Sequence, residues 1–305
     1  MSTNTLYVYS HLFWPGFVEG TDPLNISFFT KLLSRVFNCP IEHTTDMEQA
    51  SILLESIGFG EAESKIHEKT WQYKILFSGE SRLCPYYDQY DCILWGQTSQ
   101  GKIVCCPLVI PYMMSSGAIE RILHMDRTRN ETRLLPNQKR LLAIISNPCS
   151  HERNELLSIL ERYFPIDYAG GYNTNRTKIE APYWTPEFWQ EIGKYRCIIS
   201  LENSRDTDYL TEKITHGFAS GNVPIYWGAN NVTTYFNPNR FVHIAEIDDE
   251  NIMNAIQQIH RIMEDDDYFR TMVKQPIFKD NIDGEIFIES QIERIVTEIR
   301  RLLRL

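Results

Sequence analysis

Residues 197–228 read CIISLENSRDTDYLTEKITHGFASGNVPIYWG, and this stretch decides the fold. It opens on an apolar run, crosses a polar loop, continues as a helix that stops at Gly221, and ends in a second apolar run. Short apolar runs flanking a helical pattern mark a strand–helix–strand crossover, the unit that joins parallel strands. A plain crossover needs only a turn at its first corner. This one gathers Asn203, Arg205, Asp206, Asp208, Tyr209, Glu212 and Lys213 there. In open α/β sheets ligands collect at the carboxyl ends of the strands, so the corner is the first candidate site. Asp206, Thr207 and Asp208 are all capping types, which predicts a helix from about Tyr209 with Leu210, Ile214, Gly217 and Phe218 inward.

The same pattern runs outward in both directions. Upstream, RLLAIIS, the loop NPCS and HERNELLSILERYF read as strand, loop and helix, with Leu156, Leu157, Leu160 and Phe164 inward. Downstream come RFVHIAEI, a helix around residues 249–265, and a closing helix from about Glu285 with Ile288, Ile292, Ile295, Ile299 and Leu302 on one stripe. The N-terminal half alternates likewise: TLYVYS, an amphipathic helix over 22–37 with Leu24, Phe28, Leu32, Leu33 and Val36 on one stripe, then SILLES, YKILFS and YDCILWG. KIVCCPLVIPYMM reads as a further extended, proline-interrupted run, and the polar, basic stretch 126–140 as a linker. Alternation of this kind predicts α/β architecture in two Rossmann-like halves facing a cleft. The expected domains are residues 1–132 for an acceptor and 133–284 for a donor, with the helix 285–305 packing back across them.

The chain has 305 residues and a formal net charge of −10. That balance argues against nucleic acid or an anionic membrane as partner, since both call for a cationic surface. No apolar run approaches the ~18 residues of a bilayer span, and the polar start MSTNTLYVYS does not resemble a signal peptide. Seven cysteines without a CxxC fit reduced thiols. These features together predict a cytoplasmic protein without a transmembrane segment. On that expectation the sequons at Asn25, Asn130, Asn175 and Asn231 are accidental.

Three strand ends carry the candidate chemistry. After LLAII, Ser150 can cap a helix and place Arg153 in its first turn, where free N–H groups and a guanidinium favour an anion; the plainer reading is a solvated first-turn arginine. At the opening stretch, Lys213 can meet a phosphate oxygen and Glu212 can accept from sugar hydroxyls; the plainer reading is a capped helix with an incidental Glu–Lys pair. After KILF, Glu80 follows Gly79 and can serve as a general base toward a hydroxyl, or can be an ordinary loop residue. His11 and Trp14 follow the first strand and are candidates for acceptor contact. The acidic runs 264–267 and 206–208 resemble metal clusters, but a solvated helix end and capping duties account for them.

The segment LENSRDTDYLTEKITHGFASGNVPIYWG resembles the signature of the α-1,3/α-1,4-fucosyltransferases (glycosyltransferase family 10), which reads Phe-Glu-Asn-Ser, then Asp-Tyr-x-Thr-Glu-Lys, then Val-Pro-Val-x-x-Gly. KILFSGESRLCPYYDQYDCILWG resembles the family's acidic segment and ISNPCSHERNELLSIL its arginine segment, in the same order. Leu201 stands where the family usually has Phe. The resemblance implies a GT-B fold and an inverting transfer of L-fucose from GDP-fucose to O3, or O4, of GlcNAc or glucose in an acceptor such as N-acetyllactosamine. It places Arg153 and Lys213 on the donor pyrophosphate, Asn203, Tyr209 and Glu212 around the donor, and Glu80 as the base. No metal is required on this reading, with Mn2+ or Mg2+ left as a stimulant. The rival readings are a transferase for another GDP-deoxyhexose and a silent nucleotide- or glycan-binding protein on the same fold.

Overall fold

Strands that are buried on both faces read as unbroken apolar runs, and the structure places such runs at the centre of two parallel sheets. It is a computed structural model and describes residues 5–14, 16–18, 27–57, 63–96, 98–115, 117–131, 135–183 and 185–305. Packing divides the chain into two compact units. The first comprises Met1–Gly117, Thr207–Tyr209 and Ile286–Leu305, and the second Ala118–Asp206 and Leu210–Glu285. The expected boundary at 132/133 lies outside the described residues.

In the first unit the elements run β1 (Leu6–His11), α1 (Phe28–Phe37), β2 (Ile41–His43), β3 (Ile52–Ser56), β4 (Tyr73–Phe77), β5 (Cys92–Trp95), β6 (Ile103–Cys105) and α2 (Val109–Ser115). The strands pair in parallel in the order β2-β1-β3-β4-β5-β6. Leu53, Leu76 and Ile93 cover one face with Ile66, Trp71 and Tyr90. α1 buries Phe28, Phe29, Leu32, Leu33 and Val36, and the Phe29 ring meets Phe77 edge-on at 5.2 Å. Leu24 of the expected stripe lies outside the described residues.

The run from 103 to 115 is not one extended segment as expected. β6 ends at Cys105 and α2 begins at Val109. Pro111 sits in the first turn of α2, where its missing N–H has no intrahelical partner to lose. Pro111 and Ser115 are buried along with Val109, Ile110, Met113 and Met114, so no exposed polar face gives this helix an amphipathic period.

The second unit runs α3 (Ala118–Arg127), β7 (Gln138–Ala143), α4 (His151–Leu160), β8 (Ile166–Tyr168), α5 (Pro186–Ile192), β9 (Tyr195–Leu201), α6 (Glu212–Ser220), β10 (Val223–Trp227), β11 (Val242–His243), α7 (Asp249–Glu264) and α8 (Asp266–Val273). α3 reaches into the stretch read as linker. The sheet is again parallel, in the order β11-β10-β9-β7-β8. Its order reverses between β7 and β9, the position where such sheets open a crevice for ligands. Every residue of β9 is buried. The acidic run 264–267 is the junction of two helices: the Asp265 carboxylate accepts from the amides of Asp267 (3.0 Å) and Tyr268 (2.9 Å) and caps α8.

The closing helix α9 spans Gly284–Leu303. Its Phe287, Ile288, Ile292, Ile295, Val296 and Ile299 are buried. Glu289 and Glu293 each pair with Arg35 of α1 at 2.7 Å. Arg300 donates to the Val36 carbonyl at 2.9 Å, which satisfies an orphan acceptor at the end of α1. No helix among the described residues is long and apolar enough to cross a membrane.

Candidate active site

The second unit carries several of the predicted residues at its switch point. Ser150 caps α4, its Oγ accepting from the Arg153 amide at 3.3 Å. This sets Arg153 in the first turn, yet the side chain is only 3% exposed. Its guanidinium donates to the Asn203 side-chain oxygen and to the Asn147 carbonyl, so it joins the ends of β7 and β9. Its Nε–H has no partner, and no carboxylate pairs with the guanidinium among the described residues. A buried cation held only by neutral oxygens carries a large desolvation cost. Helix N-terminal amides beside it add to the positive potential.

The helix α6 starts at Glu212, three residues later than expected. Asp208 takes a left-handed backbone (φ 58°), and Thr211 is extended at the cap. What fixes this start is Glu202, a residue not among those predicted for the site. Its carboxylate is 0% exposed and accepts from the Thr211 amide and hydroxyl, both at 2.7 Å, and from Lys213 Nζ at 3.0 Å. Lys213 also donates to Thr211 Oγ1 at 2.9 Å and lies 3.7 Å from Glu212. Burial pushes the Glu202 carboxyl above the usual range, opposed by the Lys213 ammonium. For Glu212 burial works the same way, but Lys213 and hydrogen bonds at the helix start hold its carboxyl below that range. Gly228 is required here. A Cβ on it would sit 2.4 Å from Glu202 Cγ, at a φ of +153°.

The first unit holds the other predicted residues. Beyond β4, buried Ser78 donates to the carbonyls of Arg82 (2.6 Å) and Glu80 (3.1 Å), and Trp95 Nε1 donates to the Glu80 carbonyl at 2.8 Å. The backbone of Glu80 is thus clamped while its half-buried carboxylate accepts from Tyr209 OH at 3.4 Å. Tyr209, expected beside the donor, is thus hydrogen-bonded to Glu80 within the first unit. Tyr112 OH donates to the Gly79 carbonyl at 3.3 Å, and the Trp14 ring stands over Gly79, where a Cβ would meet it at 3.2 Å. Trp14 is 37% exposed. His11 instead donates from Nε2 to the Glu63 carbonyl at 3.0 Å and stacks with Tyr9. Among the described residues no group of three or more His, Cys, Asp or Glu is arranged to hold a metal.

Two parallel Rossmann-like sheets, one with a buried cation at its switch point and the other with a clamped carboxylate at a strand end, define the α/β architecture of the GT-B class. Solved structures agree on the fold: a crystal structure of an α1,3-fucosyltransferase with GDP-fucose matches 97% of this chain and 91% of its own at a TM-score of 0.66 and 16% identity. Another structure of an α1,3-fucosyltransferase reaches 0.68 at 17% identity over the same shares. Residues 135–274 match the model described as glycosyltransferase family 10 (fucosyltransferase), C-terminal part. Over those residues the chain is similar to that family. It is 22% identical over 244 residues to a putative fucosyltransferase of Acanthamoeba polyphaga mimivirus, covering 73% of this chain and 39% of the relative. It is 27% identical over 151 residues to an alpha-(1,3)-fucosyltransferase of Helicobacter pylori, covering 47% and 28%. To the GDP-fucose protein O-fucosyltransferase 3 of Homo sapiens it is 25% identical over 143 residues, covering 44% and 29%. The chain thus spans well under half the length of these curated relatives.

Proposed function

We propose that the chain is an inverting fucosyltransferase that moves L-fucose from GDP-fucose to a hydroxyl of a GlcNAc or glucose unit, at O3 or O4. The observation that carries this reading is Arg153: a buried guanidinium at the switch point, with an unsatisfied N–H and no carboxylate partner among the described residues, calls for an anion. A nucleoside diphosphate supplies it. As the bond from fucose C1 to the β-phosphate oxygen breaks, its electron pair goes to GDP, and positive groups fixed beforehand stabilise that charge. Arg153 and Lys213 are those groups, with Asn203 and Glu212 orienting the donor. The acceptor oxygen attacks C1 from the opposite face and its proton passes to Glu80, turning a β-linked donor into an α-fucoside. Tyr209 orients the Glu80 carboxylate. The exposed Trp14 indole beside Glu80 offers a flat face for an acceptor sugar ring, and His11 shapes the edge of that surface. The cations supply the charge that a metal would otherwise bring, so Mn2+ or Mg2+ acts as a stimulant only.

The test is NMR of the product formed from GDP-fucose and N-acetyllactosamine, with and without EDTA. An α-fucoside at O3 or O4 of GlcNAc supports the reading. Transfer only to a protein hydroxyl would redirect the acceptor assignment toward the O-fucosyltransferase relatives. Transfer from another GDP-deoxyhexose in preference to GDP-fucose would overturn the donor assignment. Glu80→Gln is expected to lower kcat by about 10²–10⁴-fold with GDP affinity retained, the range for losing a general base. A near-normal kcat would remove Glu80 from that role.

A further inference from the structure

Asp208 is buried, 5% exposed, and left-handed, although it stands one residue before Tyr209 in a polar loop. Its carbonyl lies so close to Gly96 that a Cβ there would meet it at 2.6 Å. Its carboxylate points into the first unit, where Cys105 Sγ donates to Oδ2 at 3.4 Å. The Arg294 guanidinium of α9 acts electrostatically on the same thiol, favouring its charged form. Arg294 pairs with Glu298 at 3.2 Å. Glu298 accepts from Ser99 Oγ, and Ser99 Oγ accepts from the Cys105 amide at 2.9 Å. Asp208, Cys105, Arg294, Glu298 and Ser99 therefore form a connected polar network drawn from a loop, β6 and the C-terminal helix.

Asp208 is buried while Cys105 and Arg294 are half-buried, and a buried carboxylate is costly unless its partners are in place, so the network favours one arrangement of the loop. The nearest output is Tyr209. Its OH sits 3.4 Å from Glu80, and the backbone that carries it is held by Asp208 on one side and by the helix cap at Thr211 on the other. The ordinary duty of a helix cap does not explain the network, because α6 starts at Glu212 and is capped from Glu202.

We infer that Asp208, Cys105 and Arg294 are positioning residues, through which the C-terminal helix locks the loop that aims Tyr209 at Glu80. The assignment rests on the proposed role of Glu80 for its consequence in catalysis, but not for its structural content. Two readouts on the full chain separate the two. Hydrogen exchange of amides 206–211 reports the lock without any substrate. Steady-state transfer, with KM for donor and acceptor and a GDP titration, reports its effect.

In Arg294→Gln and Cys105→Ala, exchange at 206–211 is expected to rise at least tenfold. kcat is expected to fall by about 10–100-fold, the cost of misplacing a reacting group by about 1 Å, while GDP affinity and the donor KM stay within threefold. Cys105→Ser, which keeps a donor for the Asp208 carboxylate, is expected to recover most of the kcat lost in Cys105→Ala. Exchange unchanged in both disruptive variants overturns the lock. Exchange raised with kcat unaltered overturns its positioning role, as does loss of donor affinity in parallel with kcat. A wild-type protein without transferase activity would instead sink the proposed function and leave the exchange result standing.

Discussion

Replacing Arg153 with Met separates a ligand-binding cation from an architectural one, because the two roles predict opposite outcomes. The guanidinium holds Asn203 and Asn147, and its removal leaves two oxygen acceptors short of a donor, at about 1–3 kcal/mol each. Against that, an uncompensated buried charge disappears, which relieves several kcal/mol of desolvation, and an apolar residue of similar volume fills the space. The terms oppose, so the ligand-free variant is expected within about 2 kcal/mol of the wild type in urea unfolding. Binding of the diphosphate changes far more. Losing one charge-assisted contact removes up to about 3 kcal/mol, which weakens GDP by about 150-fold. With GDP at 100 times the wild-type Kd, ligand stabilisation is about 2.7 kcal/mol for the wild type and falls to about 0.3 kcal/mol in the variant. Calorimetric titration of GDP together with urea curves, with and without ligand, measures both. A variant that unfolds more than 3 kcal/mol too easily but binds GDP within threefold of wild type would refute the reasoning. Arg153 would then be a clamp between strand ends.

Two other substitutions test the surroundings. Gly228→Ala places a methyl group against the Glu202 side chain at a φ that L residues rarely adopt, and is expected to cost about 1–3 kcal/mol in urea unfolding. No measurable cost would mean that Glu202 can move. His216 lies 6% exposed among Phe188, Trp189 and Tyr183, and burial pushes its imidazole down to about 4. Above pH ~6.5 neither state binds the proton; below it the unfolded chain does and the folded chain does not, so stability drops as pH falls toward 4. That drop amounts to about 3 kcal/mol and should be absent in His216→Phe; identical acid limbs in the two proteins would refute it.

The two sheets were legible because parallel strands buried on both faces leave unbroken apolar runs, as in CIISL and SILLES. Arg153 and Asn203 were legible for a related reason: each follows a strand end, and the sheet order brings β7 beside β9. Other features had no local signal. α2 is apolar all round and interrupted by proline, so it mimics an extended run. Tyr209 meets Glu80 just after a left-handed Asp208, a conformation that any of several Asp or Asn residues in that loop could have taken. The Cys105–Asp208 and Ser99–Glu298 hydrogen bonds join positions far apart in sequence, and no periodicity announces such pairs. Glu202 directly follows β9, and a carboxylate at that position has no local pattern to mark it as buried. The clues to it were two apart in kind: a threonine placed to cap the next helix, and the glycine that ends the following strand.

Glu202 also changes how Lys213 must be probed. A sequence-based view makes Lys213→Ala a simple loss of a phosphate contact in an otherwise intact protein. In the structure the ammonium is the ion-pair partner of a carboxylate that is 0% exposed. Removing one partner of a buried pair typically costs about 3–5 kcal/mol, because the remaining charge is stranded. Glu202 already lies above the usual carboxylate range, so in Lys213→Ala it would bind a proton more readily, and the variant's stability would rise as the pH is lowered toward that raised value. Low activity in Lys213→Ala at neutral pH therefore cannot by itself assign the lysine to the diphosphate. The double variant Glu202→Gln/Lys213→Met strands no charge and is expected to recover most of the stability. If it also recovers GDP affinity to within threefold of wild type, Lys213 serves the helix start and Arg153 carries the diphosphate alone. If affinity remains at least tenfold weaker in the refolded double variant, the lysine touches the phosphate as proposed.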